Sequence, residues 1–253
     1  MIGEKNSPVS AMRLKSGLNN SMLILIEGIQ KQMIHTVIFD VGGTLVRARS
    51  TLITFAEQLA PDNKEKLLEF LIKEFMKIYR DENPAEFIGI KEIITIILKK
   101  AADEFNVEDI SGKAPELYGN TYLNHANLFE DTIPTLKKLK EFGIKLIVAS
   151  DADPDVLNRE LSTFKIYDYF DEIIISGNVR AYKPSDKMIH AITEKCNRPY
   201  SDILFVGDAE VDILTAQKIG ARSVLIKRNG NFPIEADYYI TGLDEILNII
   251  KNS

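Results

Sequence analysis

Asp40 closes the apolar run Val37-Ile38-Phe39 and is followed by Val41-Gly42-Gly43-Thr44-Leu45. The run favours a buried strand, which places the carboxylate where the strand leaves its sheet and can face a ligand. Gly42-Gly43 lets the backbone fold tightly there and bring its amides close to an anion. The plainer reading is a strand that ends in a turn with an Asx-type hydrogen bond from Asp40. Other stretches end the same way. Ser150 closes Lys145-Leu146-Ile147-Val148-Ala149, Asp208 follows Ile203-Leu204-Phe205-Val206-Gly207, and Lys183 stands in Ala181-Tyr182-Lys183-Pro184 after a fourth strand. A nucleophile, a hydroxyl, an ammonium and a carboxylate pair can thus converge on one rim.

The elements that must position these groups alternate between strand and helix. After Leu45, residues Thr51 to Ala60, Lys64 to Arg80 and Phe87 to Glu104 carry apolar side chains at three- and four-residue spacing, which predicts helices. Pro61-Asp62-Asn63 and Asp81-Glu82-Asn83-Pro84 separate them as turns. Val107 to Leu128 adds one or two more helices. About eighty residues of helix thus stand between the first strand and the next, far more than a crossover requires. Asp131 and Thr132 are expected to cap a helix that stops at Gly143. Strands at 145–150, 172–176, 203–206, 223–226 and 238–240 then alternate with helices at 156–164, 185–196 and 209–219. This pattern predicts an α/β fold whose parallel sheet is covered on both faces, with ligands bound beyond the carboxyl ends of its strands.

Composition narrows the function. The 253 residues are 45% hydrophobic and 27% charged, as in an ordinary globular protein. A net charge of −6 gives no footprint for a polyphosphate backbone, so no nucleic-acid partner is expected. Cys196 is the single cysteine, which rules out an intramolecular disulfide and a cysteine-rich metal site and fits the reducing cytoplasm. The run Met22-Leu23-Ile24-Leu25-Ile26 is too short to cross a bilayer, and Glu27 interrupts it, so neither a membrane span nor a secretion signal is expected. Residues 1–33 resemble nothing after them. They read as an N-terminal extension, upstream of a possible start at Met33, or as a short element docked on the surface.

With these motifs in order, the chain resembles the haloacid dehalogenase superfamily of phosphatases, phosphonatases, dehalogenases and transport ATPases. The first motif is Phe39-Asp40-Val41-Gly42-Gly43-Thr44-Leu45, the second the strand ending at Ser150, the third Lys183-Pro184, and the fourth Gly207-Asp208-Ala209-Glu210-Val211-Asp212. The likeness spans about Ile34 to Ile226. It implies a Rossmann-like core at 34–46 and 129–253 with helices on both faces, and an inserted α-helical cap at 47–128 that closes over small substrates. It also implies a phosphatase acting on a small phosphorylated metabolite. Asp40 is then the nucleophile, which forms an aspartyl-phosphate. Ser150 and Lys183, with the backbone of Gly42 and Gly43, hold the phosphoryl group. Magnesium is held by Asp40, the Gly42 carbonyl, Asp208 and, directly or through water, Asp212.

One position departs from the pattern. Phosphatases of this family usually carry a second aspartate two residues after the nucleophile, as general acid and base, and this chain has Gly42. Loss of such a group costs about 10²–10⁴-fold, so a slow enzyme is expected, or one that borrows an acid from the cap or prefers good leaving groups. Dehalogenation and phosphonate cleavage also lack that aspartate. The former needs no metal, whereas the fourth motif is of the metal type. The latter needs a cap lysine, with Lys64, Lys66, Lys73, Lys77, Lys91, Lys99 and Lys100 as candidates. A non-catalytic binding or regulatory protein is a further alternative, against which the retained motif residues argue. Arg47 and Arg49 could clamp a second anionic group but read better as solvated charges near a hinge. Tyr118 and Tyr122, at helical spacing, read as interior residues of the cap. Asp151 stands where relatives often have asparagine.

Overall fold

A computed structural model of the protein describes residues 33–47, 49–81, 86–196, 200–231 and 233–253. Of the extension expected at residues 1–33, all but Met33 lies outside them, and Ile34–Asn252 forms one compact unit. Its centre is strand β1 (Thr36–Phe39), which is buried along its whole length. β1 pairs in parallel with both β4 (Lys145–Ser150) and β6 (Ile203–Gly207). With β5 (Glu172–Ile175), β7 (Arg222–Ile226) and β8 (Tyr238–Ile240), they form a parallel sheet of order β5-β4-β1-β6-β7-β8.

Side chains two apart on these strands share a face, and both faces are apolar. Val37, Phe39, Leu146, Val148, Leu204 and Val206 enter one buried cluster, and Ile38, Ile147, Ala149, Ile203 and Phe205 enter the other. Full burial of each such side chain stabilises the fold by about 1.5–3 kcal/mol. Helices α5 (Thr132–Glu141), α6 (Pro154–Thr163), α8 (Asp186–Thr193), α9 (Glu210–Ile219) and α10 (Ile246–Asn252), with the single turn α7 (Ser176–Val179), occupy the segments between and after the strands. Strand order runs outward from β1 through β4 and β5, then returns to β6 and runs outward the other way. The reversal falls between β1 and β6. Ligands bind at such a reversal because the connections leave the sheet on opposite sides and open a crevice.

The long insertion starts and ends at a two-stranded antiparallel ribbon, β2 (Val46–Arg47) with β3 (Asn127–Leu128). Between them lie α1 (Thr51–Leu59), α2 (Lys64–Tyr79), α3 (Ile90–Phe105) and α4 (Ala114–His125). The stripes predicted from periodicity meet here as a buried cluster including Phe55, Leu67, Leu71, Ile93, Ile97 and Leu98. The stretch expected to hold one or two helices holds α4, preceded by a 3₁₀ turn at Ser111–Lys113.

The expected cap on α5 is corrected. Asp131 precedes the helix with αR dihedrals and makes no side-chain capping bond, since capping requires an extended backbone at that residue. Its carboxylate instead accepts the Leu243 amide at 2.7 Å and pairs with Arg228. Thr132 donates its hydroxyl to the Leu45 carbonyl at 2.8 Å, which ties α5 to the loop after β1.

Candidate active site

Asp40 extends β1 by one more ladder bond, its amide donating to the Val206 carbonyl at 2.9 Å. The next residues turn back sharply. The Val41 carbonyl accepts from the amides of Leu45 and Val46, and the Gly43 amide donates to Val46 at 2.8 Å. Gly43 has φ +77°, and a Cβ added there would lie 2.4 Å from Oδ2 of Asp208. Glycine is therefore required twice over, by dihedral and by space. Gly207 is required by space alone, since a Cβ there would lie 2.3 Å from Cβ, Cγ and Oδ2 of Asp212. Gly42 differs. Its φ is not positive, and among the described residues beyond its chain neighbours a Cβ there would have one atom within 4 Å, the Tyr122 hydroxyl at 3.9 Å.

Lys183 lies beyond β5 and α7, and its ammonium is buried. It donates to Asp40 Oδ1 at 2.7 Å, to Asp212 Oδ1 at 2.6 Å and to the Ala149 carbonyl at 3.1 Å, which uses all three of its hydrogens. Burial alone disfavours the ammonium, but Asp212, Asp40 and Asp151 hold its pKa well above that of a free lysine. Asp40 and Asp208 are raised as well, which for an acid favours the neutral form. Burial lifts Asp40 to about 8 against the pull of Lys183, and Asp208 is raised by burial and by the neighbouring Asp212.

Asp40, Asp208 and Asp212 each bring one carboxylate oxygen within 4.8 Å of the other two. One ammonium cannot neutralise three acids. A hard dication would neutralise the remainder, and an all-oxygen donor set matches magnesium. The two glycine cradles fit that reading, since each makes room for an acid of the group. The second oxygen of Asp212 accepts the Ala209 amide at 3.0 Å, so Lys183 and the backbone together fix its orientation.

These residues line a cavity of about 270 Å³ together with Gly42, Ser150, Asp151 and Glu160. The insertion closes it with Tyr79, Tyr118 and Tyr122. All the motif side chains singled out from sequence except Gly43 therefore line one cavity, while Gly43 backs the carboxylate of Asp208. Tyr118 packs against the buried cluster of the insertion, as expected, and also lines the cavity, whereas Tyr122 packs against the cluster of the sheet and lines the cavity, its hydroxyl reaching Glu160 on α6. Sequence reasoning also missed Tyr79 and Glu160. Tyr79 donates to Asp151 Oδ2 at 2.7 Å, and the Lys183 amide donates to Asp151 Oδ1 at 3.1 Å. Asp151 thus joins α2 of the insertion to the backbone of Lys183. Asp153 makes a second such tie by accepting the Lys91 amide in the first turn of α3 at 2.9 Å.

Arg47 lies over the Phe129 ring, 5.1 Å from its centroid, and Arg49 pairs with Glu57 at the surface, so neither reaches the cavity. None of the seven candidate lysines of the insertion lines it either. Lys91, Lys99 and Lys100 pair with Asp155, Asp109 and Glu74. Among the described residues, no helix is long and apolar enough to cross a membrane.

A family model for haloacid dehalogenase-like hydrolases matches residues 37–226. Among the relatives, pyrophosphatase PpaX of Bacillus cereus is 23% identical over 224 residues, which cover 87% of this chain and 97% of that one. Phosphoglycolate phosphatase of Aquifex aeolicus is 24% identical over 229 residues, covering 86% and 97%. The solved L-2-haloacid dehalogenase RSc1362 superposes with a TM-score of 0.71 at 21% identity, covering 87% of this chain and 99% of that one. That last likeness speaks to the fold.

Proposed function

The chain belongs to the haloacid dehalogenase-like hydrolases, and from that premise we propose that it is a magnesium-dependent phosphatase of small phosphorylated metabolites, working through an aspartyl-phosphate at Asp40. The observation that carries this reading is the meeting of Asp40, Asp208 and Asp212 around the buried Lys183 ammonium. Nucleophilic attack needs an ionised Asp40, and Lys183 at 2.7 Å favours that state. Asp40 attacks phosphorus with one carboxylate oxygen, and the ester oxygen leaves with the electron pair. Ser150, Lys183 and the Gly42-Gly43 backbone hold the transferring group and offset its charge. Asp40, the Gly42 carbonyl, Asp208 and Asp212 would hold the magnesium ion, which supplies positive charge between an anionic nucleophile and an anionic substrate. Water then releases phosphate and restores Asp40.

The insertion, residues 47–128, serves as the cap over the substrate in this reading, with Tyr79, Tyr118 and Tyr122 facing the cleft. Because position 42 carries no acid, substrates whose leaving group needs little protonation are favoured. The pyrophosphatase name of one relative agrees, since phosphate leaves more readily than an alkoxide. A cytoplasmic location belongs to the same proposal. Haloacid hydrolysis is the weaker reading, because Asp208 and Asp212 beside the nucleophile have no task in chemistry that needs no metal. Phosphonate cleavage is weakened by the absence of those seven lysines from the cavity lining.

Hydrolysis of acetyl phosphate and pyrophosphate by purified protein tests the proposal. Turnover that requires magnesium and stops with chelator is the expected result. Halide release from a 2-haloacid that ignores chelator, without phosphate release from any ester, would overturn it.

A further inference from the structure

Opposite the bare Gly42 stands a hydrogen-bonded pair contributed by two separate parts of the chain. Tyr122, on α4 of the insertion, donates its hydroxyl to Oε1 of Glu160, on α6, at 2.8 Å. Among the described residues, the chain neighbours of Gly42 aside, that hydroxyl is the single atom within 4 Å of the place where a side chain at position 42 would begin. Glu160 is 2% exposed, and among the described residues no ammonium or guanidinium pairs with it. The neighbouring Arg159 is directed to Asn120 at 3.2 Å. Tyr118 and Asp40 are the other ionisable groups close to Tyr122.

We propose that Tyr122 and Glu160 form a two-step proton relay that stands in for the acid missing at position 42, an inference that rests on the phosphatase reading. Tyr122 faces the leaving oxygen, and Glu160 acts through it.

The protons balance over the cycle. As the bond from Asp40 to phosphorus forms and the ester bond breaks, the leaving oxygen takes the Tyr122 hydroxyl proton. For this the hydroxyl turns from Glu160, its acceptor in the structure, to the leaving oxygen, and Glu160 in its protonated form donates in return. The phenol oxygen takes that carboxyl proton, and Glu160 is left as a carboxylate. In the second half, water attacks phosphorus and loses a proton to the Tyr122 oxygen while the phenol proton returns to Glu160. The phosphorus bond to Asp40 breaks with its electron pair on Asp40, and both relay groups are reset. The surroundings suit each group to its part. Burial lifts the Glu160 carboxyl to about 7, against the Tyr122 hydrogen bond, so it can give up and regain a proton near neutrality. Burial, with Glu160 beside it, raises the phenol above its ordinary range and keeps it neutral as a conduit.

The experiment compares wild type, Tyr122→Phe and Glu160→Gln on glycerol 3-phosphate, an alkyl ester that needs a proton donor, and on acetyl phosphate, which does not. Gln can still accept the Tyr122 hydrogen bond, so the packing survives. Hydrolysis of the aspartyl-phosphate is common to both substrates, so the reading is the first half alone, taken as glycerol or acetate released in a single turnover with enzyme in excess. The relay requires a loss of about 10–10²-fold in glycerol release with acetate release held within about threefold. Adding Gly42→Asp to Tyr122→Phe should restore the alkyl ester selectively. Parallel losses of glycerol and acetate release in that first half mark a structural tie between α4 and α6 and overturn the relay, as does no loss of either. A wild type that hydrolyses acetyl phosphate but no alkyl ester overturns the relay and leaves the phosphatase reading standing. One inert toward both overturns the two together.

Discussion

The ammonium of Lys183 lies 2.7 Å from Oδ1 of Asp40, although 143 positions separate the two residues in the chain. The same nitrogen lies 2.6 Å from Oδ1 of Asp212, so one buried cation sets the spacing between the candidate nucleophile and a candidate metal ligand. Lys183→Met would leave two buried carboxylates without their counter-charge, and removal of one partner from a buried pair costs about 3–5 kcal/mol. Urea denaturation in the presence of chelator is expected to show a loss of that order, with activity down by at least about 10². A loss under about 1 kcal/mol would contradict the assigned charge balance.

The two glycines after Asp40 should respond in opposite ways to the same change. Gly43→Ala puts a methyl group where the Asp208 carboxylate lies, at a left-handed dihedral that costs a non-glycine residue about 1–2 kcal/mol. Gly42→Ala meets open space and should remain within about 1 kcal/mol of wild type. Thermal melts of the two variants, with and without magnesium, check this. Equal destabilisation would mean that the turn is not shaped around Asp208.

Magnesium should act on the folded chain as a ligand. At about a hundredfold excess over its dissociation constant it should add about 2.7 kcal/mol of stability, and chelator should remove it. Asp208→Asn is expected to abolish the effect. Overlapping denaturation curves for wild type with and without the ion would sink the assignment of the acid trio.

Glu160 makes a pH-dependent contribution whose sign follows from its burial. Its ordinary value is 4.5 and burial lifts it to about 7 in the folded protein. Between those limits the folded state holds the extra proton, so its contribution is favourable below about 4.5 and is lost as pH rises through about 7. The whole span is worth of order 3 kcal/mol. Glu160→Gln should therefore gain stability relative to wild type between pH 5 and pH 8, as read from urea midpoints. A difference that stays constant across that range would contradict the burial of a titrating carboxyl at this place.

The rim residues were legible in the sequence because a buried parallel strand leaves little choice. Val37-Ile38-Phe39 and Ile203-Leu204-Phe205-Val206 must lie inside the sheet, so the first polar residue after each has to emerge at its edge, and Asp40 and Asp208 do so side by side. The residues from helices were not legible in the same way. Four-residue spacing puts Tyr118 and Tyr122 on one face of α4, but which neighbour that face meets is decided by how the insertion docks. Glu160 sits in Leu157-Asn158-Arg159-Glu160, where it looks like a solvated helix charge, and its burial depends on Tyr122 arriving from 38 positions away. Asp131 shows the converse. Its residue type suits a helix cap, but Arg228 and the Leu243 amide claim its carboxylate.

The central claim is that Asp40 itself accepts the phosphoryl group. Protein mixed with acetyl phosphate and magnesium, quenched within a turnover, reduced with borohydride and digested for mass spectrometry tests it directly. Reduction converts an aspartyl-phosphate to homoserine, and homoserine at position 40, absent from Asp40→Asn and from samples with chelator, is the expected result. Unmodified Asp40 in a sample trapped while phosphate is being released, or homoserine at another aspartate, would contradict it.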